Sequence, residues 1–139
     1  MSRRLWVERK DDGTWEALSD DGARLTFGKG NGMFNPVELM QIALAGCTAL
    51  STQYAIEHAI GEDSSARVVV SGTYDADEGA YSQFNEDITV DATIADHKLT
   101  EEEVIALKDR MEKHINKGCT VKHTLESSSP VRISVTIKH

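Results

Sequence analysis

The chain has 139 residues, the size of one domain, and at 40% hydrophobic and 27% charged it has the composition of an ordinary globular protein. Its 15 Lys+Arg stand against 23 Asp+Glu, a formal charge of −8. That sign argues against nucleic acid or an anionic membrane as a main partner, since both recruit basic surfaces. Met1-Ser2-Arg3-Arg4-Leu5-Trp6 leads into no apolar stretch of the kind a secretory signal needs, and the long run Leu39–Ile56 is interrupted by Gln41, Thr48, Ser51, Thr52 and Gln53. Cytoplasm is the expected compartment. Ordinary thiols stay reduced there, which makes a purely structural disulfide the weaker reading of two cysteines.

In chain order, Leu5–Lys10, Thr14–Leu18 and Ala23–Phe27 read as a strand meander, separated by Asp11-Asp12-Gly13 and Asp20-Asp21-Gly22. The loop Gly28-Lys29-Gly30-Asn31-Gly32 breaks the sheet; it lacks the strand-to-helix context of a phosphate loop. Asn35 is a good N-cap, Pro36 suits the first helical position, and Glu38 sits where a capping box places its acid. The helix they open runs to about His58–Ile60 and stops at Gly61. Its first half is apolar on nearly all sides, so burial all round is expected there, and a second subunit to supply part of the cover.

Arg67–Tyr74 and Asp87–Ile94 alternate as strands. Thr100, followed by Glu101-Glu102-Glu103, opens a second capped helix with Val104, Ile105, Leu107 and Met111 on its apolar side, ended by Gly118. Cys119 begins a short further helix, and Val131–Ile137 reads as a closing strand. The order β-β-β-α-β-β-α-α-β gives an α+β fold over a single domain, residues 1–139.

The chemistry-bearing residues are Cys47, late in the apolar run, and Cys119, directly after Gly118. Taken alone they fit a disulfide, part of a metal site, two packed thiols or a redox pair. His123 is four residues beyond Cys119, but Cys47, Cys119 and His123 lack zinc-type spacing, and no metal or cofactor is expected.

Asn35-Pro36-x-Glu38-Leu39, Ala45-Gly46-Cys47 on the same helix, and Cys119-x-Val121 after a helix-ending glycine, in this order of elements, resemble the OsmC/Ohr family of thiol-dependent peroxidases. The resemblance implies an intertwined, swapped homodimer with long central helices and a site at the subunit interface. It implies that Cys47 attacks an organic hydroperoxide, that Cys119 resolves the resulting sulfenic acid to a disulfide, and that an external dithiol reduces it. Glu38 takes the place of an orienting acid. The chain departs from the best-studied members at Val37, where they carry Glu, and at Thr120, where Pro is usual. Where those members place an arginine near the first hairpin, this turn reads Asp11-Asp12-Gly13, and Arg9, Lys10 and Arg24 are the candidate cations. The alternative is a non-catalytic or redox-sensing protein of the same fold that binds a small apolar ligand.

Overall fold

The computed structural model describes residues 3–138. Two compact units divide the chain between Ile42 and Ala43. In the first, β1 (Leu5–Arg9), β2 (Trp15–Ser19) and β3 (Arg24–Phe27) form an antiparallel meander in the order β1-β2-β3. The Asp-Gly turns close it as expected: Gly13 and Gly22 sit at φ of 86° and 99°, a region that costs glycine little. Glu16 on β2 is buried, and its carboxylate accepts two hydrogen bonds from the Arg24 guanidinium, Nη2 at 2.7 Å and Nε at 3.1 Å.

Helix α1 (Pro36–Ile60) begins in this unit and continues into the second. Its capping box is formed: Glu38 N–H donates to Asn35 Oδ1 at 2.8 Å, and Asn35 N–H donates to Glu38 Oε1 at 2.9 Å. Gly61 ends it at φ 128°.

The second unit pairs β4 (Ser65–Asp75) with β5 (Ala80–Asp91) in a long antiparallel hairpin, with a register irregularity at Thr73/Tyr74. Helix α2 (Glu101–Gly118) follows, capped by Thr100 and Glu103 in a complete box, and then α3 (Thr120–Leu125). The core joins Ala55, Ile56 and Ile60 of α1 to Leu107 and Met111 of α2, with Ile88 and Val90 of β5 packed against them. Among the described residues no helix is long and apolar enough to cross a membrane.

Two expectations need correction. The second strand of the hairpin begins at Ala80 and ends at Asp91, not at Asp87 and Ile94. Its first half lacks a period-two alternation and gains its strand state from pairing with β4, which local pattern does not reveal. Residues 131–137 join no ladder, and Val131, Ile133, Val135 and Ile137 lie exposed. In the first half of α1 Val37 and Ile42 are exposed in the single chain.

Candidate active site

Helix α1 and the junction of α2 with α3 bring the two cysteines of the second unit together. Gly118 ends α2, and Cys119 is left as the extended residue between the helices, at φ −85° and ψ 93°. Its side chain is wholly buried, whereas Cys47 on α1 is half-exposed. Both thiols are free, and Cys119 donates its S–H to the Cys47 sulfur. The backbone N–H groups of Val121 and Thr120 and the Ser51 hydroxyl, one turn along α1, also favour charge on that sulfur.

This arrangement splits the two titrations. Donation from Cys119, then from Val121, Ser51 and Thr120, holds Cys47 below the ordinary thiol range against the opposing effect of burial. Burial pushes Cys119 up first, and donating to Cys47 pushes it further. Of the two thiols, the more accessible Cys47 is the one that ionises more readily.

The offset to burial comes from donors, where the sequence left open a cation or a donor. Arg24 is engaged by Glu16 in the meander. Glu38 stands in the first turn of α1, held by its cap, and Cys47 follows nine residues later on the same helix. His123 Nε2 is bonded to the Asn116 carbonyl rather than turned to a thiol.

Two features escaped sequence reasoning. Thr48, beside Cys47 and wholly buried, donates its hydroxyl to Glu86 Oε2 at 3.0 Å. The second is a cavity of about 750 Å³ lined by Ser51 and by Arg110, Lys113, His114, Lys117 and Gly118 of α2. Its signal lies in the spacing, since positions 110, 113, 114 and 117 recur as one helical face. In an acidic chain this basic concavity shares Ser51 with the thiol site, which gives it a means of attracting a negatively charged group.

The family model described as OsmC-like protein matches residues 28–134. An uncharacterised protein of Mycobacterium tuberculosis is 33% identical over 134 residues, 95% of each chain. Among solved structures, the OsmC-like protein of Mycoplasma pneumoniae superposes with a TM-score of 0.66 at 15% identity, covering 91% of this chain and 88% of that one. The organic hydroperoxide resistance protein OhrB of Bacillus subtilis gives a TM-score of 0.55 at 18% identity, covering 89% and 90%. At these identities the two structures speak for the fold.

Proposed function

The chain belongs to the OsmC-like protein family, and from that premise we propose that it reduces organic hydroperoxides through a two-cysteine cycle. What supports this reading is the pairing of two free thiols, a half-buried Cys47 with the buried Cys119 as a hydrogen-bond donor that favours its thiolate. Cys47 attacks the terminal oxygen of the hydroperoxide. The O–O bond breaks, the alkoxide takes a proton and leaves as an alcohol, and Cys47 becomes a sulfenic acid. Cys119 then attacks the Cys47 sulfur, water leaves, and a disulfide closes. An external dithiol of the cytoplasm returns both thiols, with no metal or cofactor taking part. Glu38 serves as the orienting acid at the start of α1. The working form is a homodimer, in which a second copy covers the apolar side chains that one chain leaves in water.

A binding protein for a small apolar ligand is the other reading of this fold. The cationic lining of the cavity beside Ser51 does not suit such a ligand.

Mass spectrometry on the reduced protein, before and after one equivalent of cumene hydroperoxide, separates the two. The peroxidase reading expects rapid loss of two hydrogens and a Cys47–Cys119 cross-linked peptide. Cys47→Ser abolishes turnover, and Cys119→Ser stops at the sulfenic acid or a higher oxide after one reaction. Two thiols still free after the hydroperoxide would overturn the cycle.

A further inference from the structure

Helix α2 carries Arg110, Lys113, His114 and Lys117 at spacings of three and four, and this face forms one wall of the cavity of about 750 Å³. Ser51 of α1 and Gly118 complete the lining, which includes no carboxylate. Among the described residues none of the four basic side chains is paired with an acid, in a chain where 23 Asp+Glu outnumber 15 Lys+Arg. Like charges four residues apart, as in Lys113 and Lys117, disfavour a helix, so a cationic wall left without acids calls for a negative group from outside. Two of the lining residues adjoin the cysteines. Ser51 lies one turn beyond Cys47 on the same face of α1, and Gly118 is bonded directly to Cys119. From Gly118 back to Arg110 the helix spans about 12 Å, within reach of an acidic group on a small molecule that reacts at Cys47.

We propose that this cavity seats the acidic group of a small anionic thiol, and that the dithiol which regenerates the two cysteines is such a molecule, bearing carboxylates or phosphates. The inference rests on the two-cysteine reading and names its reductant class. A reductant gains more from this wall than a hydroperoxide does. It attacks as a thiolate, so the cations favour its reacting sulfur as well as its acidic group, whereas a hydroperoxide brings a neutral O–O group. In the oxidised protein the first thiol, having lost its proton to water, attacks Cys47, the more accessible sulfur. The Cys47–Cys119 bond breaks, and Cys119 leaves with the electron pair and takes a proton from water. The second thiol of the reductant, giving its proton to water, attacks the sulfur of the first, and Cys47 leaves as a thiolate. Both protein sulfurs are reduced, and the reductant is oxidised to its own disulfide.

Thiol–disulfide exchange is reversible, so the same seat can be read on the reduced protein with disulfides of different charge. The probes are dithiobis(nitrobenzoate), a dianion, and dithiodipyridine, which is neutral. Stopped-flow absorbance gives the rate of the first release from Cys47 with each, and the ratio of the two rates is divided by the same ratio for mercaptoethanol. The thiolate fraction of Cys47 enters both rates alike and cancels. The normalised ratio is expected to favour the dianion about tenfold or more, although a net charge of −8 would repel it. It should fall to within about twofold of unity in Lys113→Gln/Lys117→Gln, and in the wild type as sodium chloride is raised toward molar concentration. The salt series needs no variant and serves if the double substitution does not fold. In the forward direction, protein oxidised with diamide should be reopened faster by mercaptosuccinate than by mercaptoethanol, compared per thiolate. A wild-type ratio of unity or below would overturn the proposal, as would equal reopening by the two thiols. A high ratio that survives the double substitution or the salt would also overturn it, placing the preference outside this wall. No hydroperoxide is used, so inactivity toward hydroperoxides would count against the peroxidase reading and leave the seat standing.

Discussion

In the reduced protein the S–H of Cys119 is the largest single influence holding Cys47 toward the thiolate. A donor to a thiolate stabilises the charged form, so removing it must move the titration of Cys47 upward. Cys119→Ala is therefore expected to shift the midpoint of Cys47 alkylation by iodoacetamide to higher pH. Cys119→Ser keeps a hydroxyl donor and should shift it less. Peptide-resolved alkylation rates across pH measure both. An unmoved midpoint in Cys119→Ala would transfer the whole effect to the Val121 and Thr120 amides and to Ser51. Both cysteines were legible in the sequence because each stands in a short motif at a helix. The donors were not, since Ser51 looks ordinary in the sequence and nothing there marks the backbone N–H groups of Thr120 and Val121 as facing α1. Glu86 was hidden differently: it is conspicuous only once the inward face of β5 is known.

At the level of elements, local chemistry was readable and pairing was not. Asn35 with Glu38, and Thr100 with Glu103, mark two helix starts because a capping box closes within four residues. The upper half of the β4–β5 hairpin has no such local mark, and its order depends on contacts across the strands. Gly72 on β4 pairs with Phe84, and Tyr81 packs over the gap left by the missing side chain, stacked on Phe84 and edge-on to Tyr74. A Cβ at Gly72 would lie 2.6 Å from the Tyr81 ring. Gly72→Ala is accordingly expected to destabilise the protein by about 1–3 kcal/mol, the usual cost of forcing extra volume into a packed site. The double variant Gly72→Ala/Tyr81→Ala should lose less than the two separate losses combined, because the clash has been removed. Urea denaturation of the four proteins closes the cycle, and simple additivity would show that Tyr81 yields without cost.

For the whole molecule, the decisive segment is the one the single chain leaves unused. Val131, Ile133, Val135 and Ile137 alternate with Arg132, Ser134 and Thr136 as a strand should, yet residues 131–137 form no ladder and these apolar side chains are 78–85% exposed. Leu50 and Tyr54, on consecutive turns of α1, are exposed as well. A strand-patterned segment with free backbone donors and acceptors is a template for pairing with another chain, and alternation fixes which side chains that pairing buries. The proposed homodimer gives this segment a partner without asking the chain to refold. Replacing Ile133 and Val135 together by Asp removes two apolar contributions of about 1.5–3 kcal/mol each and adds charge where burial is expected. The pair of substitutions should weaken association by about a hundredfold or more. Sedimentation equilibrium should then give the mass of two chains for the wild type and of one for the variant. The helical signal from α1 and α2 should persist, because their shared core of Ile56, Ile60, Leu107 and Met111 lies within one chain. A variant that still sediments as two chains would place the interface elsewhere. A wild type that sediments as one chain would remove the second copy from the cover of α1.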